Sequence, residues 1–169
     1  NIDYRGRYLI IALEKLNCKN ADETYQKITE LYPKNASAYE NWGLLLEKQG
    51  KYDDAIVKYM KVVELDPKNA SAYRSWGSMF AAQGKYDDAI AKYLKAIEVD
   101  PKDFTSYVCC GLLLVKQGKY DDAIAKYLKA IELNPSNIDY RGRYLIIALE
   151  KLNYKMLMKH IRRLRNFIQ

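Results

Sequence analysis

The sequence predicts an all-α fold, a solenoid of antiparallel helical hairpins. The first observation is that every proline lies 34 residues from the next, at Pro33, Pro67, Pro101 and Pro135. The second is that two series of glycines keep the same spacing, at Gly43, Gly77, Gly111 and at Gly50, Gly84, Gly118. The third is that apolar residues within each period recur at helical spacing. A fixed period of this length is typical of stacked repeats, here 2–35, 36–69, 70–103, 104–137 and a degenerate 138–169, forming a single domain over 1–169.

Each repeat is predicted to contain two helices joined by a short turn. In the second repeat the apolar spacing predicts helices over Ala36–Lys48 and Tyr52–Leu65. Gly50 and its equivalents follow the first helix, where a left-handed residue would end it. The pair Asp53–Asp54 and its equivalents begin the second helix, where the helix dipole favours negative charge. Pro67 and its equivalents then end the second helix.

These positions together resemble the tetratricopeptide repeat, whose 34-residue pattern combines glycine, a small residue, an aromatic residue and proline. The small and aromatic positions are filled by Ala21, Ala55, Ala89 and Ala123 and by Tyr25, Tyr59, Tyr93 and Tyr127. The resemblance extends to about residue 154 and implies a right-handed superhelix that binds partners in a concave groove. The outer repeats depart from the pattern, because Leu9 and Leu145 replace the glycine.

The resemblance also implies which side chains line the groove. The positions of the first helices that face it give the candidate site Asn41, Leu44, Lys48, Arg74, Ser75, Ser78, Val108, Leu112, Val115 and Lys116. An apolar segment of a partner protein or peptide is the expected ligand, and the alternative is that these positions are only a tolerated surface. One subset of the family clamps the carboxylate of chaperone C-termini. Asn41 matches that clamp, but Gly6, Ile10, Ser71 and Ser75 stand where its other residues belong, so no clamp is expected.

Composition argues against an enzyme. The three cysteines, Cys18, Cys109 and Cys110, lack metal-binding spacing, and His160 is the one histidine. The sequence has no glycine-rich phosphate loop and no nucleophile paired with a histidine. We therefore expect no catalytic residue, no cofactor and no metal site. Because no stretch approaches the roughly 18 apolar residues of a membrane span, a soluble cytoplasmic protein is expected.

The net charge of +7 raises the alternative of a nucleic-acid or membrane partner. Five of these charges lie in Lys155–Gln169, a basic segment with an apolar stripe at helical spacing, and the remaining residues carry +2. With inferred codons, thirteen of the fourteen residues 156–169 match residues 20–34 translated one base out of frame, and Phe167 is the exception. A sequence of that origin is not expected to have been selected for binding phosphate or lipid, so neither partner is expected.

Self-assembly is the other alternative. Residues 1–17 recur without change as 137–153, so the helix predicted over Ile2–Leu16 has the same sequence as the one expected behind the fourth repeat. Terminal repeats normally carry a polar outer face, and this one is rich in apolar residues. We expect either further residues upstream or contact with a second chain, which would make a homo-oligomer.

Overall fold

The computed structural model describes residues 21–135. Seven α-helices and their connecting turns account for these residues, which contain no β-strand. The helices are α1 (Ala21–Leu31), α2 (Ala36–Lys48), α3 (Tyr52–Leu65), α4 (Ala70–Ala82), α5 (Tyr86–Val99), α6 (Phe104–Lys116) and α7 (Tyr120–Leu133). The predicted all-α helical repeat is confirmed. The expected helix over Ile2–Leu16, the repeat from residue 138 and the basic segment Lys155–Gln169 lie outside the described residues.

The chain divides into two compact units, Asn1–Ala89 and Ile90–Gln169, with the boundary inside α5. In the N-terminal unit, α1 packs on α2, α2 on α3, and α3 on α4. In the C-terminal unit, α6 packs on α7. The helices of each of these pairs are neighbours in sequence, as expected of repeats that stack in order.

Glycine ends the first helix of each described hairpin as predicted. Gly50 has a φ of 73°, and Gly118 has the same value. The Gly50 N–H donates to the Glu47 carbonyl at 3.0 Å and the Lys51 N–H to the Leu46 carbonyl at 2.9 Å. This pair of bonds satisfies carbonyls that the end of α2 would otherwise leave without donors.

The helix starts show one feature that the sequence interpretation missed. The Asn35 and Asn69 side chains accept the backbone N–H groups of Ala38 and Ala72, at 3.2 and 2.8 Å. Asparagine is a strong N-cap, so α2 and α4 begin with a bonded donor. At the start of α6 the bond differs, because the Ser106 hydroxyl donates to the Asp103 carboxylate at 2.6 Å in the protein interior.

The core of the N-terminal unit joins three helices. Its buried members are Leu46 from α2, Ala55, Ile56, Tyr59 and Val62 from α3, and Ala72 and Met79 from α4. Because each helix contributes a stripe of apolar residues at the helical period, no single hairpin covers its own apolar surface. The candidate site residues lie on first helices of the repeats, on α2 and α4 in the N-terminal unit and on α6 in the C-terminal unit.

Candidate functional site

Tyr59 connects three helices beside the predicted groove. Its ring is fully buried, and its hydroxyl donates to the Glu47 Oε2 atom of α2 at 3.1 Å. The Ser75 hydroxyl of α4 also interacts with the tyrosine hydroxyl and lowers its pKa. Burial raises the pKa of Tyr59, and the nearby carboxylates of Glu47 and Glu40 raise it further. Glu47, Tyr59 and Ser75, which we call the tyrosine bridge, therefore place side chains of α2, α3 and α4 around one hydroxyl group, with a hydrogen bond between α2 and α3.

The three candidate residues of α2 are accessible. Leu44 is 41% exposed, Lys48 is also exposed, and Asn41 is half-buried. An exposed leucine between two polar side chains can contact an apolar group of a ligand while its neighbours form hydrogen bonds. Glu47 of the tyrosine bridge is half-buried on the same helix.

The three candidate residues of α4 are half-buried, and their polar groups already have partners within the chain. The Ser78 hydroxyl donates to the Arg74 carbonyl at 3.2 Å, and Ser75 belongs to the tyrosine bridge. The Arg74 Nη2 atom donates to the Ser71 hydroxyl at 3.4 Å. A ligand would therefore meet hydroxyl groups that are held in place, which lowers the entropy cost of binding them.

The candidate residues of α6 differ from one another in accessibility. Lys116 is exposed and Leu112 and Val115 are half-buried, whereas Val108 is only 6% exposed. Val108 was assigned to the groove by its position in the repeat, and the structure places it in the interior instead. The reason is that α6 is apolar on most of its faces, and such a helix is buried on most of them.

Tyr127 occupies on α7 the place that Tyr59 has on α3, but its hydroxyl has different surroundings. Val115 stands where the N-terminal unit has Glu47, so the carboxylate acceptor is missing. Within residues 21–135 the buried hydroxyl finds no hydrogen-bond partner. Burial raises the pKa of Tyr127 to about 12, with Cys109 and Cys110 contributing.

A second polar cluster surrounds Trp42, and the sequence interpretation missed it. The indole N–H donates to the Asp22 Oδ1 atom at 3.1 Å, and the Lys58 Nζ atom lies 3.5 Å from the ring centre. Burial lowers the pKa of Lys58, opposed by Asp54 and Asp22. Burial also opposes ionisation of Asp22, but hydrogen bonds from Lys51, Trp42 and Gln49 outweigh it and hold the pKa below its usual value. The residues of this cluster lie far apart in the sequence, so the repeat pattern does not predict that their side chains meet.

A shallow apolar cavity of about 680 Å³ lies along α3, also unpredicted. Val57 and Met60 line it and are 57% and 48% exposed. The only sequence feature that could have indicated this cavity is Val57, which stands where the next two repeats have alanine, at Ala91 and Ala125.

The described residues hold no recognisable metal site. Between Ala21 and Pro135, no three histidine, cysteine, aspartate or glutamate side chains converge closely enough to bind an ion. In the same range no helix has the length and apolar character needed to cross a membrane. Cys110 is buried, which raises the pKa of its thiol to about 11.

Two family models match the chain. A tetratricopeptide repeat model matches residues 36–69, and a TPR repeat model matches residues 77–118 and 111–141. Together they cover more than half of the sequence. No curated protein sequence gives a match.

Several solved structures are similar. A crystal structure of MamA has 27% identity and a TM-score of 0.70, covering 90% of this chain and 94% of that one. The first TPR of Spaghetti (RPAP3), bound to the HSP90 peptide SRMEEVD, has 26% identity and a TM-score of 0.65, covering 69% and 92%. The MamA RS-1 ArsTM double mutant has a TM-score of 0.76 over 95% and 90%, but at 19% identity it shows the fold alone. Repeat spacing, hairpin geometry and family models agree, and the chain belongs to the tetratricopeptide repeat family.

Proposed function

We propose that the protein is a non-catalytic scaffold that binds a peptide or an extended segment of a partner protein. The binding surface lies on the first helices of the repeats, with α2 and α4 in the N-terminal unit as its principal part. The observation that carries the proposal is the tyrosine bridge, in which Tyr59 of α3 bonds to α2 and interacts with α4, while Leu44 of α2 stays accessible. A cytoplasmic location stays a prediction from the sequence.

The charges of this surface argue for a ligand unlike the peptide bound by the RPAP3 neighbour. That peptide, SRMEEVD, has three acidic residues and one basic residue. In the N-terminal unit the carboxylates of Glu40 and Glu47 both act on Tyr59, and they would repel an acidic ligand. We therefore propose an apolar segment with few acidic residues, held by Leu44 and oriented by Asn41 and Arg74.

Selection from a displayed library of random peptides provides a probe, and its affinity for variants of the full chain tests the surface. We expect Leu44→Glu and Arg74→Glu each to weaken the selected peptide at least about tenfold, because each places a carboxylate where the ligand makes contact. Leu112→Glu examines α6 in the same way. Val57→Glu on α3 is the matched control, because Val57 is exposed and lies on neither α2 nor α4.

Affinity that is unchanged in Arg74→Glu, Leu44→Glu and Leu112→Glu would remove the proposal. The peptide SRMEEVD serves as a second probe. We expect it to bind at least about tenfold more weakly than the selected peptide, and tighter binding would overturn the proposed ligand chemistry while leaving the surface in place.

A further inference from the structure

Helix α7 shares with α3 two of the residues by which α3 packs in a core with the helix that follows it. In the N-terminal unit, α3 is packed between α2 and α4, and one core contains Ile56 and Tyr59 of α3 with Met79 of α4. Two repeats later, Ile124 and Tyr127 of α7 hold the same positions. In repeat order, the segment that follows α7 as α4 follows α3 is 138–153.

The chain contains a second copy of that segment. Residues 1–17 and 137–153 are identical at all positions, NIDYRGRYLIIALEKLN. Whatever complementarity α7 has for one copy, it has for the other. The two differ only in covalent connection, since 137–153 continues directly from α7 and 1–17 can reach it from another molecule.

Tyr127 gives this face a feature that the following segment would complete. In the N-terminal unit, Ser75 of α4 interacts with the Tyr59 hydroxyl and lowers its pKa. The residue in register with Ser75 after α7 is Arg143, and its duplicate is Arg7. Within the described part of the chain the Tyr127 hydroxyl has no partner. Both copies therefore carry an arginine at this register position.

We propose that molecules of this protein link head to tail by exchange of this duplicated segment. Residues 1–17 of one copy take, on α7 of a second copy, the place of residues 137–153. Exchange of identical elements is a low-cost route to association, because the new contacts equal those that they replace. The α7 of the donor molecule can undergo the same exchange with a third molecule, so the contact is heterologous and the assembly can extend beyond a dimer.

The covalent connection determines which of the two copies of the segment occupies α7. A segment joined directly to α7 has an effective concentration on the order of millimolar, so it outcompetes a second molecule in dilute solution. Exchange should therefore increase with protein concentration, and it should increase further when the connected copy is weakened. This proposal does not depend on the groove of the proposed function.

The identity of the two copies supplies matched variants for the test. Ile147 is in register with Met79, which is 2% exposed in the core, and Ile11 is its duplicate. In the full chain, Ile147→Glu weakens the connected copy, and Ile11→Glu makes the same change in the donor copy. Light scattering over a concentration series reports the molecular mass of each variant, and circular dichroism reports its helix content.

We expect Ile147→Glu to associate at a concentration at least tenfold lower than the unsubstituted chain, because tethered competition is reduced. Ile11→Glu and the double variant should remain monomeric over the same range. Equal association of the two single variants, or a monomeric Ile147→Glu, would overturn the proposal. If a glutamate variant loses its helix content, the milder pair Ile147→Ala and Ile11→Ala is used instead. We expect Ile147→Ala to lower the concentration at which the protein associates and Ile11→Ala to raise it. Equal changes in that concentration would contradict the exchange.

Discussion

Gly43 lies directly against the ring of Tyr59, so that a Cβ atom built on the glycine would stand 2.8 Å from the tyrosine Cε1 atom. The C-terminal unit repeats this relationship, with the same distance between a Cβ at Gly111 and the Cε1 atom of Tyr127. Side chains in real proteins do not approach so closely. Glycine in this series therefore reflects close packing between the two helices of a hairpin.

Gly43→Ala should destabilise the protein. Alanine gains about 1 kcal/mol of helix propensity over glycine, but overpacking a fixed core costs about 1–3 kcal/mol. The Tyr59 ring is buried and cannot move away without breaking its hydrogen bond to Glu47. We expect a net loss of about 1 kcal/mol, measured by urea unfolding. The neighbouring exposed Leu44→Ala should change stability by about 0.5 kcal/mol or less, and a Gly43→Ala protein as stable as the parent would contradict this account.

Removing one hydroxyl should have unequal effects in the two units. Tyr59→Phe loses the hydrogen bond to the Glu47 carboxylate and the interaction with Ser75, and should cost about 1–2 kcal/mol. Tyr127→Phe loses a buried hydroxyl that has no partner within residues 21–135, and it should be neutral or slightly stabilising. Denaturant unfolding of the two variants gives the comparison. Equal losses would show that the tyrosine bridge adds nothing to stability.

Alkaline pH should destabilise the folded protein through Cys110. Burial raises the pKa of this thiol from 9.0 to about 11, so the unfolded chain loses the proton first as pH rises. The unfolded state then binds fewer protons than the folded state, and stability falls across the interval between the two values. Melting temperatures between pH 8 and 11 should therefore decline less steeply in Cys110→Ala than in the parent chain. Cys109→Ala is the matched control, and an identical decline in both variants would refute the assignment.

Asp22 should contribute to stability in two separable parts. Asp22→Asn keeps an acceptor for the Trp42 indole and loses the exposed ion pair with Lys51, which is worth about 1 kcal/mol or less. Asp22→Ala also loses the acceptor and should cost about 1 kcal/mol more. The pKa of Asp22 is lower in the folded state than in the unfolded chain. The stabilisation that depends on its charge is therefore complete above the usual carboxyl pKa, and it is lost as pH falls through the pKa of the folded state. Thermal unfolding at pH 7 and pH 3 measures both parts, and equal effects of the two substitutions would exclude a role for the indole bond.

Local features could be predicted from the sequence, because the residues that determine them lie within one repeat. The helix positions and the left-handed conformation at Gly50, Gly84 and Gly118 are confirmed. Periodicity specifies such features because each depends on contacts between near neighbours in the chain. The right-handed superhelix and the complete groove stay predictions.

Features that join different helices escaped prediction. The tyrosine bridge brings together residues from three helices, and only packing shows that Glu47 and Ser75 meet at one hydroxyl. Val108 was misplaced for a different reason, since the positional rule assumes a first helix with one solvated face. Helix α6 has seven buried residues among thirteen and does not satisfy that assumption.

The turn between α2 and α3 requires glycine at position 50 for a reason other than lack of space. No heavy atom lies within 4 Å of a Cβ placed there, yet the φ of 73° costs an ordinary residue roughly 1–2 kcal/mol. The constraint is one of chirality, because an L-residue disfavours this conformation and its mirror image prefers it. A D-alanine introduced by chemical synthesis would fit the corner without displacing an atom, and it would restrict the unfolded chain more than glycine does. Handedness at a single α-carbon therefore decides which residues can join the two helices of a hairpin.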